Sequence, residues 1–200
     1  MNIGVYSPNW VGDAVMALKF IGHLRKKYID DQLIVIARDW VADIFDNHPH
    51  VNKVLPISSK ELKGTFNTMK TGRNLNKLDL DIFFVLPDSF RSALIAWFSK
   101  SNTRIGFTGQ MRDTFLTDQI NLPKEKIHRS EKYLCLLQPF EEMEEIQRVG
   151  ITLRDQEKKW ADNMIQENNV ESPIGLLIGS VAKSRSVPIE KWNEILKDKL

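Results

Sequence analysis

Hydrophobic positions in this 200-residue chain alternate between short apolar runs and longer stretches with a spacing of three and four. Asn2–Tyr6 reads as a strand. Ser7-Pro8-Asn9 ends it, because proline and asparagine favour turns. From Asp13 to Tyr28 the residues Ala14, Ala17, Leu18, Ile21, Leu24 and Tyr28 recur on one helical face, with Lys19, Arg25, Lys26 and Lys27 mainly off it. Gln32–Ala37 is rich in β-branched residues and suits a sheet buried on both faces. A helix is predicted near Asp39–Asn47, then strands at Val51–Ile57, Leu80–Leu86 and Arg104–Phe107. Ser89 is placed to cap a helix over Phe90–Phe98. Further helices are expected over Ser130–Leu137 and Glu157–Asn168. Strands alternating with helices predict an α/β fold: a Rossmann-like parallel sheet with helices on both faces and right-handed crossovers.

The pattern restarts near the end of the chain. Pro173–Ile178 reads as a new strand, Gly179–Val187 as a loop, and Pro188 as the start of a helix running to Leu200. One strand and one helix cannot bury a core. The expected organisation is therefore one Rossmann-like domain over residues 1–168 and the incomplete start of a second over 169–200.

Composition narrows the function classes. A net charge of +2 gives no argument for nucleic-acid binding. The longest apolar runs, Ile82–Leu86 and Ala93–Phe98, fall well short of the roughly 20 residues of a membrane helix. The N-terminus enters a strand at once, so no signal peptide is visible and a cytoplasmic location is expected. Cys135 is the single cysteine and lies in an apolar stretch, where a reduced, buried thiol is expected. Of the four histidines only His48 and His50 are close together, so no metal site and no cofactor are expected. A G-x-S-x-G elbow is missing.

Ligands of open parallel sheets bind beyond the carboxyl ends of the strands. Three segments place polar groups at such ends. In the first, Gly12 lets the chain turn into the helix and Asp13 sits at its start. Asp13 either complements the helix terminus or serves as a general base facing the cleft. In the second, Arg91 in the first turn of its helix is either a surface partner of Asp88 or a clamp for an anionic group. The third is the loop Gly179–Ser186, small and hydroxyl-rich with Lys183 and Arg185, which leads into a helix N-terminus and suits phosphate. Between strands three and four, Lys60, Lys63, Lys70, Arg73 and Lys77 face only Glu61. They form either a solvated face or a docking patch for phosphate groups.

Three ordered segments carry a family resemblance. Tyr6-Ser7-Pro8-Asn9-Trp10-Val11-Gly12-Asp13-Ala14-Val15-Met16 resembles the opening motif of the ADP-heptose:lipopolysaccharide heptosyltransferases of glycosyltransferase family 9, especially type II. Leu86–Leu94 is similar to a second family segment, and Arg104–Phe107 through Arg112 to Leu116-Thr117-Asp118 to a third. The resemblance covers about the first half of a family member. It implies the GT-B fold, with an N-terminal acceptor domain facing a C-terminal domain for the nucleotide sugar. It implies inverting transfer of heptose from ADP-heptose to the lipopolysaccharide inner core, with no metal. Asp13 takes the position of the catalytic base. Asn9, Trp10, Gly12, Arg91 and Arg112 take acceptor-side positions. Gly179, Ser180, Lys183 and Arg185 take donor-phosphate positions. The family's Lys-x-Trp-Pro is here Arg185-Ser186-Val187-Pro188, which keeps the charge and loses the tryptophan. Peripheral contact with the inner face of the inner membrane is a further implication. The 200-residue chain by itself is expected to show little or no transfer. The rival expectation is a non-catalytic acceptor-glycolipid-binding module, or a remnant. An unrelated reductase-like nucleotide-binding protein would want a glycine-rich first loop, and Ser7–Gly12 holds one glycine.

Overall fold

The structure is a computed structural model that describes residues 1–122, 124–140, 149–169, 175 and 186–197. Six parallel strands form one sheet: β1 (Asn2–Tyr6), β2 (Gln32–Arg38), β3 (Lys53–Ile57), β4 (Ile82–Val85), β5 (Thr103–Phe107) and β6 (Asp118–Ile120). Their order is β3-β2-β1-β4-β5-β6, the doubly wound arrangement. β1 lies in the middle, with Ile3 opposite both Leu33 and Ile82. Pro56 is accommodated because β3 is an edge strand, where a missing N–H costs no ladder bond.

Alternation along the central strands gives the sheet two buried faces. Ile3, Val5, Leu33, Val35, Ile82 and Phe84 point to one face. There they pack against α1 (Val11–Lys27), α2 (Asp39–Ala42) and α5 (Arg129–Leu134). The Phe20 and Phe84 rings meet edge to face at 5.3 Å between centroids. Tyr6, Ile34, Ile36, Phe83 and Val85 point to the other face, covered by α3 (Gly64–Leu75) and α4 (Phe90–Phe98). Both predicted features, the parallel sheet and helices on both faces, are present.

Several local expectations change. The helix near Asp39 ends at Ala42, and the chain continues as turns through Asn47, whose φ is +57°. The helix over Ser130–Leu137 is α-helical only to Leu134 and then tightens into a 3-10 helix, Cys135–Phe140, that contains Pro139. Cys135 is half-buried rather than buried; its thiol donates to the Glu131 carbonyl at 3.5 Å. Residues 58–77, read as a charge run, contain α3. The edge strand β6 was also unforeseen.

Contacts divide the chain into Met1–Thr152 and Leu153–Leu200; the sequence reading draws its boundary at residue 168. In the second unit α6 (Asp155–Glu167) opens with the Glu157 carboxylate accepting from the Arg154 N–H at 2.7 Å. Its α7 (Ile189–Lys197) begins just after Pro188, whose carbonyl accepts from Lys191 and Trp192. The predicted strand Pro173–Ile178 lies outside the described residues apart from Gly175. Among the described residues, no helix is long and apolar enough to cross a membrane.

Candidate functional site

β1 and β4 are neighbours, but the helices that follow them go to opposite faces of the sheet, α1 to one and α4 to the other. Their loops therefore separate and leave a crevice at the carboxyl ends of the strands, where this topology places ligands. The crevice floor is tied on both sides. The Ser7 N–H donates to the Ile36 carbonyl at 2.9 Å, and the Leu86 N–H donates to the Tyr6 carbonyl at 3.2 Å.

On the α1 side the chain turns at Ser7-Pro8-Asn9 and the helix begins after Trp10, whose backbone is extended and whose side chain caps nothing. The loop is held from outside, because the Trp40 indole N–H donates to the Asn9 carbonyl at 3.0 Å. Trp10 and Gly12 are exposed at the helix start. Asp13 is the third helical residue, two positions deeper than expected, and it is not the N-cap. Its side chain is about a quarter exposed, and Oδ1 lies 3.6 Å from Nε of Arg129 on α5. A carboxylate in the first turn complements the helix terminus. With solvent access, it is also free to accept a proton from a ligand.

On the α4 side Ser89 caps the helix as expected, its hydroxyl accepting from the Ser92 N–H at 3.2 Å. Arg91 is exposed in the first turn. It does not pair with Asp88; that carboxylate binds the Lys132 ammonium of α5 at 2.5 Å. Arg91 instead lines a cavity of about 500 Å³ together with Tyr6, Asn9, Arg38, Thr65 and Ser89. Among the described residues no carboxylate lines this cavity, and two guanidinium groups do. Burial pushes the Tyr6 phenol up to about 12, while Arg38 and Arg91 act in the opposite direction. Tyr6 therefore stays a neutral hydroxyl between two cations.

Two of these residues escaped the sequence reading. Arg38 ends β2, donates to the Ser58 carbonyl at 3.2 Å and stacks over Trp40 at 4.6 Å. A lone arginine closing the apolar run Leu33–Ala37 was the available signal, since it must emerge at the ligand rim. Tyr6, the last residue of β1, begins the family's opening motif, but the sequence assigns it no site role.

Arg112 requires a correction. The sequence reading gives it an acceptor-side position, but its side chain is fully buried and lies outside the cavity. Its Nη1 donates to the Pro87 carbonyl, so it braces the loop that carries Arg91 from beneath. Positive φ at Gln110 and Met111 turns the chain so that the next side chain points inward. Burial lowers the Arg112 pKa, and Asp88 and Asp113 oppose that shift. Nε and Nη2 of Arg112 and Oδ1 of Asp88 are buried without a hydrogen-bond partner. The donor-side residues Gly179, Ser180, Lys183 and Arg185 lie outside the described residues. Among the described residues no cluster of His, Cys, Asp and Glu is arranged to hold a metal.

The model of glycosyltransferase family 9 (heptosyltransferase) matches residues 68–199. Lipooligosaccharide heptosyltransferase 2 of Haemophilus ducreyi is 35% identical over 122 residues, 59% of this chain and 34% of that protein. Lipopolysaccharide heptosyltransferase 2 of Escherichia coli is 33% identical over 129 residues, 62% of this chain and 36% of that protein. The matched part thus spans about a third of the length of these curated relatives. Among solved structures, a family 9 glycosyl transferase from Veillonella parvula superposes with a TM-score of 0.82 at 16% identity, over 98% of this chain and 58% of that one. The Escherichia coli ADP-heptose lps heptosyltransferase II does so with a TM-score of 0.68 at 27% identity, over 82% and 50%. The chain belongs to glycosyltransferase family 9, the heptosyltransferase family.

Proposed function

We propose that the unit Met1–Thr152 is the acceptor side of an inverting heptosyltransferase that uses ADP-heptose and a lipopolysaccharide inner-core acceptor. The observation that carries this reading is the cavity with Arg38 and Arg91 and, among the described residues, no carboxylate, opening at the loop that leads to Asp13. Such a cavity suits a sugar bearing carboxylate or phosphate groups, since forked guanidinium groups bind both. Asn9, Ser89 and Thr65 add neutral polar groups for hydroxyls. Trp10 and Gly12 form the exposed edge next to the acceptor hydroxyl, and Arg112 positions the Arg91 loop.

In the proposed step the acceptor oxygen attacks the anomeric carbon of ADP-heptose. The Asp13 carboxylate takes the hydroxyl proton, the bond from the anomeric carbon to the phosphate oxygen breaks, and ADP leaves with that electron pair. The donor phosphates are assigned to Gly179, Ser180, Lys183 and Arg185, whose cations offset the leaving charge. The reading assigns no metal or other cofactor.

The test is transfer from ADP-heptose by a form of the enzyme that carries a full donor-side domain and by its Asp13→Ala variant, with acceptor binding measured by calorimetry. General-base loss lowers transfer by about 10²–10⁴-fold while acceptor affinity holds. Near-normal transfer by the variant sinks the role of Asp13. Loss of acceptor binding in Arg38→Ala and Arg91→Ala, with transfer intact to an uncharged sugar, supports the anion cavity; unchanged binding counts against it.

A further inference from the structure

A second cavity, of about 700 Å³, lies at the amino ends of the strands, where α3 and α4 finish and β5 begins. The acceptor cavity is lined from the starts of the same two helices. α4 has nine residues, which sets the two cavities about 13 Å apart along its axis. A small ligand here does not reach Asp13, and the transfer reading leaves the cavity unused.

Close helix packing creates the cavity wall. Gly72 brings α3 against Phe98 and Ile95 of α4, and the next residue, Arg73, stacks over the Phe98 ring at 5.1 Å. Trp97 meets Phe98 at 4.8 Å and Phe115 at 5.7 Å between ring centroids, both edge to face. Its indole is thus held from two sides, yet it is 45% exposed. A fixed, half-open ring is a stacking platform. Three cations surround it: Arg73, Lys100 and Arg104. Among the described residues no carboxylate lines the cavity. Asp118 acts on Arg104 from nearby, and the Thr117 hydroxyl already donates to it at 2.8 Å.

Two of the cations are set in place by the backbone. Arg104 donates from Nε to the Phe115 carbonyl at 2.8 Å and from Nη1 to the Ser101 carbonyl at 2.6 Å, so its guanidinium is oriented before any ligand arrives. Burial lowers its pKa against the pull of Asp118, the mark of a cation short of solvation. Lys100 follows the Ser99 C-cap of α4 with φ +59°. Glycine is the usual residue there, because a Cβ is disfavoured in the left-handed region. This chain instead carries an exposed ammonium at that point, on the cavity wall.

We propose that this cavity binds a small soluble phosphate ester that carries a flat ring, with the ring on Trp97 and the phosphate among Arg73, Lys100 and Arg104. The volume falls within the roughly 300–1,000 Å³ of ordinary ligand sites. Stacking on the indole supplies affinity without demanding one particular ring. The cations supply charge-assisted hydrogen bonds to the phosphate. The site is separate from the crevice at the carboxyl ends of the strands and does not depend on the transfer reading.

The test is isothermal titration calorimetry of the full 200-residue chain with phenyl phosphate and, separately, with inorganic phosphate. Phenyl phosphate is expected to bind about tenfold more tightly, the share that ring stacking supplies. Trp97→Leu removes that margin. Arg73→Ala weakens phenyl phosphate about tenfold, as loss of one charged hydrogen-bond partner does. Lys100→Gly does the same. Because glycine suits the left-handed backbone, this variant melts at or above the parent temperature, which separates lost binding from lost folding. Arg38→Ala/Arg91→Ala, in the acceptor cavity, and Lys183→Ala/Arg185→Ala, on the donor side, leave binding unchanged. The proposal is overturned if phenyl phosphate does not bind up to millimolar concentration, or if inorganic phosphate binds as tightly. Parent-like affinity in both Arg73→Ala and Lys100→Gly overturns it as well. So does loss of binding in either control variant, which would move the ligand to the acceptor or donor side.

Discussion

Gly72→Ala is the substitution whose effect follows most directly from the packing. In an exposed helix interior this change gains about 1 kcal/mol from helix propensity. Here α3 and α4 touch at this residue. A Cβ built on Gly72 would lie 2.6 Å from the Phe98 Cβ, 2.7 Å from the Ile95 carbonyl oxygen and 3.2 Å from the Ile95 Cα. Two of the three atoms are backbone, and the third is a Cβ that any residue except glycine carries. Rotamer changes cannot relieve the clash, so the helices must separate by several tenths of an ångström and loosen the layer over Phe83 and Val85. Overpacking of this kind costs about 1–3 kcal/mol, contacts this short against fixed atoms belong in the upper part of that range, and subtracting the propensity gain leaves a net loss of about 1–2 kcal/mol. For a unit of this size that lowers the melting temperature by about 2–8 °C. The assay is thermal unfolding followed by circular dichroism, with Gly12→Ala as the control, since a Cβ there meets nothing within 4 Å. Phe98→Ala and Ile95→Ala are expected not to rescue Gly72→Ala, because both keep the offending atoms. A Gly72→Ala protein that melts at or above the parent temperature, or a rescue by Phe98→Ala, would falsify this account of the interface.

Three further outcomes are expected. Burial is the largest influence lowering the pKa of His48, with His50 adding to it and a Gly150 backbone bond opposing it; burial also lowers His23 and His50. The unfolded chain therefore takes up protons below its ordinary value near 6.5 that the fold resists, so this stability is fully present above pH 6.5 and is lost as pH falls through the window beneath it. Urea midpoints from pH 7.5 to 5 should fall, and His48→Gln should flatten the slope. Lys132→Met removes the partner of Asp88, whose other oxygen is already buried and unpartnered, and should cost about 1–3 kcal/mol in urea unfolding, partly recovered by Asp88→Asn. Arg129→Ala breaks a long, half-exposed ion pair with Asp13 and should shift stability by less than about 0.5 kcal/mol in the same assay.

The sheet was legible because its central strands carry the signal that two-sided burial demands: Leu33–Ala37 and Ile82–Leu86 are continuous apolar runs. Helix α3 was not, for the reason that makes Gly72 sensitive. Its inward side is Thr68, Thr71 and Gly72, which allow close approach to α4, with Leu75 as its one buried apolar side chain, and one leucine makes no apolar stripe to detect. β6 is three residues long on a sheet edge with a polar sequence, so neither length nor alternation marks it. Within the site, strand ends located Asn9, Asp13 and Arg91 at the rim. Pattern alone could not show that Arg112, one position past a left-handed turn, would be carried into the interior. Burial of an arginine is a tertiary fact; its loop residues look as polar as any surface loop.

The position of β1 explains why the rim groups come from distant parts of the chain. A strand in the middle of a doubly wound sheet has neighbours whose following helices leave to opposite faces, so its own loop borders a gap rather than a packed helix. Asp13 enters from the α1 face, Arg91 from the α4 face, and Arg38 and Tyr6 from the ends of adjacent strands. Each is held by a different tether: Arg129 for Asp13, the Ser89 cap for the helix of Arg91, and the Ser58 carbonyl and Trp40 for Arg38. Because the tethers are independent, exchange of Arg38 or Arg91 changes the charge of the cavity without moving Asp13. On the proposed reading, anion affinity and proton transfer are thereby separable by mutation, and the rim is built from two sets of residues rather than one network.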